Sequence, residues 1–255
     1  LSLRSIEGRL VRRSTKLTGI THTINSKLKE GSRRRAISFY KVKIIQYLFI
    51  VHRGVIGNFV YSMKSQNLIR FLNSSNLVSL TTSVEIAKKF APREISKNNF
   101  LLKEGKVSNE YFFLENGFIR AFAYDTEGND VTTNFYSNNQ VVFEVSSFFN
   151  RTISRENIQA TEDCTGWFIT YEQLNNLFHS LPEFRDFGRS ILVKGFAALK
   201  VRMLSMITET AEQRYDTLLK TNPEIFQHAS LKHIASYLGI TDTSLSRIRK
   251  EYSKK

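Results

Sequence analysis

The sequence contains very little cysteine: Cys164 is its single thiol in 255 residues. One thiol per chain excludes a disulfide framework, a zinc site with several cysteine ligands and an iron–sulfur cluster held by four cysteines of the same chain. A chain without disulfides fits a reducing compartment. We therefore expect a cytoplasmic protein in which Cys164 is a small core residue.

Long apolar runs are also missing. The longest, Tyr47–Val51, is followed directly by His52 and Arg53. It is too short to span a bilayer or to form the apolar core of a secretory signal. The sequence therefore predicts no membrane partner.

The usual motifs of enzymes and metal sites are absent from the sequence. It has no glycine-rich phosphate loop of the Walker or Rossmann type, and no serine, cysteine or paired-carboxylate arrangement stands out. The histidines do not have the spacing of metal ligands; they are His22, His52, His179, His228 and His233. We therefore expect neither catalysis nor a bound metal, and we interpret His233 as an exposed residue.

Positive charge is in excess, and it is unevenly distributed. The net charge is +14, from 37 Lys and Arg against 23 Asp and Glu. Residues 1–62 contain 13 basic and two acidic residues (+11), which leaves 24 basic and 21 acidic residues (+3) for 63–255. The chain begins with Leu1, and its first methionine is Met63. We expect 1–62 to be a basic N-terminal extension that is disordered or foreign to the natural protein; a basic arm for DNA or anionic lipid is the alternative.

The most informative stretch is 231–250, near the C-terminus. Its apolar positions have helical spacing on either side of one glycine: Ile234, Ala235 and Leu238 before Gly239, and Leu245 and Ile248 after it. Glycine ends the first helix because it adopts positive φ without a steric penalty, and Ser230 and Thr241 are suited to cap the two helices. This pattern is typical of a helix-turn-helix. An ordinary helical hairpin with a solvated basic face is the alternative.

The central part of the chain, 93–169, is typical of short β-strands. Aromatic and β-branched segments alternate there with turn signals; the segments begin at Phe100, Tyr111, Phe118 and Val131. Strands this short and evenly spaced predict an antiparallel β-roll or barrel rather than a parallel sheet. Upstream of them, the capping-box pattern Thr82–Glu85 predicts a helix that begins at Thr82.

A long helix follows the strands, between capping boxes that begin at Thr170 and Thr210. From about Leu181 to Met206 the chain has helical periodicity over roughly 40 Å, and one small domain cannot cover so long an apolar stripe. We expect this helix to pair two chains in a homodimer, through Phe184, Ile191, Leu199, Met203 and Met206. Packing of the helix onto its own roll is the alternative.

In this order, the roll, the long helix and the helix-turn-helix resemble the cAMP receptor protein/FNR (Crp/Fnr) family of bacterial transcription regulators. The resemblance covers roughly 75–255. Its most specific parts are Thr210–Tyr215 and His233–Arg249, with Leu102–Gly105 and Leu114–Gly117 in the roll. It implies an α+β fold with three parts: a cyclic-nucleotide-binding-like jelly roll with flanking helices at 63–180, a dimerisation helix at 181–208 and a small all-α DNA-binding domain at 209–255.

The same resemblance implies a ligand cassette at Phe143–Ala160. In the family, a Gly-Glu pair and an arginine in this cassette bind the ribose and the phosphate of a cyclic nucleotide. Here the pair positions carry Glu144 and Val145, and the arginine position carries Ser154, with Arg155 one residue later. Neighbouring residues on a strand point to opposite faces, so Arg155 would point away from the position that the arginine of the family occupies. The Glu144 carboxylate, if uncompensated, would repel a phosphate. We therefore expect no cAMP binding, and we assign no cofactor.

The helix-turn-helix carries the candidate DNA contacts. Hydroxyl and acidic side chains at the helix starts, and basic side chains one turn later, can reach phosphates and base edges. The candidates are Ser230, Thr241, Asp242, Thr243, Ser246, Arg247 and Lys250. We expect a homodimeric regulator that binds a palindromic double-stranded operator and acts with RNA polymerase. A small-molecule sensor that acts through protein contacts, with a vestigial helix-turn-helix, is the alternative.

Overall fold

The computed structural model describes residues 65–253, so the predicted basic extension at 1–62 lies outside the described residues. Within 65–253 the chain has an α+β fold, with two short helices, a β-roll of eight strands that includes one short helix, and six further helices. None of the helices in this range is long and apolar enough to cross a membrane.

Two helices precede the roll: α1 (Gln66–Asn73) and α2 (Leu80–Ala87). Helix α2 is capped by Ser79, whose hydroxyl accepts a hydrogen bond from the backbone N–H of Thr82. The prediction that Thr82 opens this helix was wrong. The backbone is still extended at Ser79 and is already helical at Thr82, so only the Ser79 hydroxyl can reach forward to a free N–H group.

The roll consists of two four-stranded antiparallel sheets within the described residues. The strands are β1 (Ala91–Ile95), β2 (Phe100–Leu102), β3 (Glu110–Asn116), β4 (Ile119–Tyr124), β5 (Asp130–Tyr136), β6 (Gln140–Val142), β7 (Asn157–Ala160) and β8 (Cys164–Thr170). The first sheet has the strand order β1-β8-β3-β6 and the second has the order β2-β7-β4-β5, which leaves β5 at an edge. The predicted antiparallel roll is confirmed.

The core of the roll lies between the two sheets. Phe112 and Leu114 of β3 point inward toward Ile119 of β4, and all three are fully buried. Cys164 lies in the same core, as predicted, and burial raises the pKa of its thiol to about 11. This cysteine is therefore a protonated packing residue at neutral pH.

A short helix, α3 (Val145–Asn150), lies between β6 and β7, and the other helices follow the roll. They are α4 (Tyr171–Ser180), α5 (Pro182–Thr208), α6 (Ala211–Thr221), α7 (Ile225–His228), α8 (Leu231–Leu238) and α9 (Asp242–Tyr252). The predicted capping boxes are present at Thr170 and Thr210. Helix α5 has 27 residues and is about 40 Å long, as its periodicity predicts.

The helix-turn-helix does not stand apart from the roll. Phe118 and Phe135 of the roll belong to the same apolar cluster as Ile234 and Ala235 of α8 and Leu245 of α9. The contact places α8 against the edge strand β5. Nothing in the sequence pattern predicted this contact, because it joins segments about a hundred residues apart.

Candidate functional site

The turn between α8 and α9 has the geometry that the sequence predicted. Gly239 ends α8 with φ +66° and ψ 38°, in the left-handed region. A Cβ atom built at Gly239 would also come within 2.5 Å of the Cε atom of Met206 in α5. The backbone conformation favours glycine here, whereas the Met206 methyl group is the end of a flexible side chain and can move aside. The Thr241 hydroxyl caps α9 by accepting the backbone N–H of Ser244 at 3.2 Å.

Helix α9 has one buried face and one exposed polar face. Leu245 and Ile248 are fully buried against α8 and α6 side chains. The opposite face is exposed along its whole length, and we call it the reading face: Asp242, Thr243, Ser246, Arg247 and Lys250. Ser230 and Thr241 are also exposed, at the starts of α8 and α9. The structure thus brings all seven predicted DNA-contact residues onto one small helical unit.

A contact near the C-terminus of α9 fixes the direction of this helix. The Tyr252 hydroxyl donates a hydrogen bond to the Asp216 carboxylate of α6. The Tyr252 ring also packs edge-on against Tyr215, with 5.4 Å between ring centroids. Sequence reasoning missed this anchor, although a tyrosine two residues after Lys250 was visible.

Helix α5 presents a long apolar surface that the other described residues leave uncovered. Its exposed apolar residues are Leu192, Val193, Phe196, Leu199, Val201, Met203, Leu204, Met206 and Ile207. Five of them recur at spacings of four and three residues, and we call them the α5 seam: Leu192, Phe196, Leu199, Met203 and Met206. Phe196 is 70% exposed and Leu199 is 61% exposed, so α5 does not pack onto its own roll there.

Two predicted dimer residues lie outside this seam. Phe184 is only 2% exposed, and its ring stacks on Phe178 of α4, with 5.2 Å between the ring centroids. Assigning Phe184 to a dimer surface was wrong, because α4 folds back over the first turns of α5 and covers it. Ile191 lies at the border, half-buried, just before the exposed part of the helix begins.

The start of the ligand cassette is occupied by one of its own side chains. The Glu144 carboxylate accepts the backbone N–H groups of Ser146 at 3.0 Å and Ser147 at 2.5 Å, and it thereby caps α3. A helix N-terminus is where a phosphate would otherwise find free N–H groups and a favourable dipole. Val145 follows, half exposed, with no charge to offer.

The end of the cassette also lacks a cation that points inward. Ser154 is buried, and its hydroxyl donates to the Glu156 backbone carbonyl at 2.9 Å, while Arg155 is exposed. Burial raises the pKa of the Glu156 carboxyl, and the nearby Glu144 charge adds to this effect, while the Arg202 charge of α5 opposes it. Neither Ser154 nor Arg155 therefore supplies the buried positive charge that a nucleotide phosphate would need.

Within the described residues, the other candidate centres would be a metal site and buried charged groups. No group of three or more His, Cys, Asp or Glu side chains in 65–253 is arranged to hold a metal ion. The roll instead contains one buried cation, Arg120 of β4, which is 3% exposed and bonds to Asp130 and to His233 of α8. The interpretation of His233 as an exposed residue was wrong, because the roll covers one side of its ring.

Comparison with known protein sequences identifies the domain to which the roll is similar. The cyclic nucleotide-binding domain matches residues 92–180, which include the cassette. The transcriptional activator protein Anr of Pseudomonas protegens is 22% identical over 187 residues, which are 69% of this chain and 75% of that protein.

Solved structures share the fold of this chain. FixK2 from Bradyrhizobium japonicum aligns with a TM-score of 0.57 and 16% identity over 65% of this chain and 85% of its own. A putative transcriptional regulator of the Crp/Fnr family from Eubacterium rectale aligns with a TM-score of 0.54 and 13% identity over 70% of this chain and 85% of its own. At these identities the structures establish a shared fold of roll, long helix and C-terminal helices.

Proposed function

Because this chain belongs to the Crp/Fnr family of transcription regulators, we propose that it is a homodimeric regulator that binds a specific DNA operator. The observation that carries the proposal is the exposed reading face of α9, held by a buried helix-turn-helix core. A helix that presents short polar and basic side chains can enter the major groove and meet base edges there.

The parts of the chain have distinct roles in this proposal. Residues 63–180 form the sensor roll, 181–208 the dimerisation helix and 209–255 the DNA-binding unit. Two copies joined along the α5 seam present two reading faces, so the operator is palindromic, with half-sites about one helical turn, or 34 Å, apart. The partners are double-stranded DNA and RNA polymerase, the location is the cytoplasm, and the role is binding rather than catalysis.

Selection from a random palindromic DNA library tests this proposal directly. The full chain is incubated with the library at several salt concentrations, and the bound fraction is sequenced after gel-shift separation. Enrichment of one inverted repeat, retained in excess competitor DNA, supports the proposal. Uniform retention of all sequences, with a steep loss as salt increases, would show charge-driven binding alone and would contradict it.

The roll should not bind cAMP at physiological concentration. The cassette offers two carboxylates, Glu144 and Glu156, and places Ser154 where the family has its phosphate-binding arginine. Charge repulsion and a missing charge-assisted hydrogen bond both act against the cyclic phosphate. Titration calorimetry with the full chain measures this, and a dissociation constant in the low micromolar range or tighter would contradict it.

A further inference from the structure

The contact between the helix-turn-helix and the roll contains a compact group of charges, which we call the docking cluster: Arg120, Asp130, Lys232 and His233. Arg120 donates from Nη1 to the Asp130 carboxylate at 2.5 Å and from Nε to the Thr132 hydroxyl at 2.8 Å. Its guanidinium is buried and fixed by these bonds, so it is a rigid donor facing α8.

His233 of α8 completes this contact as an acceptor. Its Nε2 atom lies 3.1 Å from Nη1 of Arg120. A guanidinium has donors only, so the hydrogen bond requires the lone pair of an unprotonated Nε2. A proton on that atom would place two N–H groups against each other. The contact with Arg120 therefore favours the neutral form of the ring.

The charges around His233 act mostly against its protonation. Arg120 from β4 and Lys232 from α8 are both positive, and Asp130 from β5, whose carboxylate lies 3.8 Å from Nε2, is the negative group. Tyr124, a titratable phenol, lines the same cleft with Phe100, Phe122, Asn129 and Gln159. The Asp130 carboxylate already forms ion pairs with Arg120 and Lys232, so it does not neutralise the additional positive charge of a protonated His233.

The docked position leaves the reading face free. Docking uses α8: besides His233, the Ser236 hydroxyl accepts the backbone N–H of Thr132 at 2.8 Å. Arg202 of α5 donates to the carbonyl oxygens of Thr133 in the roll and Tyr237 in α8 and so ties three elements together. The side chains of α9 that face DNA in the proposed function remain exposed. Docking therefore positions the helix-turn-helix without blocking it.

From this geometry we propose that the docking cluster is a proton-sensitive latch, which holds the helix-turn-helix on the roll in the orientation used for DNA binding and releases it when His233 is protonated. The proposal rests on the proposed function only for its effect on operator affinity. The latch itself is a property of one chain. Release leaves each reading helix free to move. A dimer must then lose that conformational freedom when it binds both half-sites, and this entropic cost lowers the operator affinity.

The direction of the pH dependence follows from the shift of His233. Burial and the nearby Arg120 charge lower the pKa of His233 below its ordinary value of 6.5, against an opposing effect of Asp130. The pKa of His233 is thus lower when the helix-turn-helix is docked on the roll than when it is released. Docking is therefore more favourable when His233 is neutral. Docking is fully stabilised above about pH 6.5 and weakens as the pH falls toward the lowered value of the docked state.

Distance measurements between two labels on one chain test the latch without DNA. Labels at Lys97→Cys on the roll and Glu251→Cys on α9 occupy exposed positions, and the buried Cys164 does not compete for the label. Labelled chains are diluted into unlabelled full chain, so each dimer carries one labelled copy. Distances are recorded at about pH 7.5 and about pH 5.5, on either side of an ordinary histidine pKa.

Three variants make the result specific to His233. His233→Gln keeps a neutral acceptor, His233→Lys supplies a permanent cation, and His179→Gln is the matched control at an exposed histidine on α4. We expect a narrow distance distribution at the higher pH and a broad one at the lower pH for the wild type and His179→Gln. We expect a narrow distribution at both pH values for His233→Gln and a broad one at both for His233→Lys.

Equal pH responses of the wild type and His233→Gln would overturn the latch, and so would a folded His233→Lys that stays narrow. Operator affinity, measured separately, should fall several-fold more between the two pH values in the wild type than in His233→Gln. If no specific operator is bound at either pH, the proposed function fails while the distances still decide the latch.

Discussion

Leu199→Glu should convert the protein from a dimer to a monomer and abolish specific operator binding. Leu199 lies in the middle of the α5 seam and is 61% exposed in the single chain, and in the proposed homodimer a second copy covers it. The substitution places an unpaired carboxylate in each half of the packed seam, which costs several kcal/mol per dimer. Sedimentation at micromolar concentration measures the assembly, and gel shift on the selected operator measures binding.

Lys194→Gln is the matched control for this substitution. It changes the net charge by the same amount, and it lies five residues before Leu199, which turns it about 140° around the helix, away from the seam. It should remain dimeric and bind the operator. If the wild type sediments as a monomer at micromolar concentration while it still binds DNA tightly, the seam is not a dimer interface.

Arg247→Ala should cost about 1–3 kcal/mol of operator affinity per half-site, or about 2–6 kcal/mol for a dimer on two half-sites. Arg247 is exposed on the reading face and long enough to reach the O6 and N7 atoms of a guanine. Its loss should also relax selectivity at one base pair. Quantitative gel shifts on the operator and on single-base variants measure both effects.

Lys250→Ala separates base recognition from charge. Lys250 lies at the end of the same exposed face, where it is suited to a backbone phosphate, so its loss should weaken all DNA sequences alike and reduce the salt dependence. The two variants remove the same formal charge. If Arg247→Ala also lowers specific and non-specific binding by one common factor, Arg247 is a phosphate contact instead.

The sequence by itself determined the elements and their order. The spacing of Ile234, Leu238, Leu245 and Ile248 around Gly239 specified the helix-turn-helix, because helical periodicity and a positive-φ residue are local properties. The capping boxes at Thr170 and Thr210, the length of α5 and the short strands of the roll were predictable for the same reason. Each depends on residues within a few positions of one another.

Only the tertiary structure decided which faces of these elements meet. Phe184 and Leu199 lie on the same helix and look alike in the sequence, but α4 covers the first and leaves the second exposed. The contact of Arg120 with His233 spans 113 residues, and no periodicity encodes it. Local patterns specify which surfaces of a helix or strand are apolar or charged. Which of these surfaces is covered depends on packing between distant segments, and here that packing also decided which histidine lies beside a buried cation.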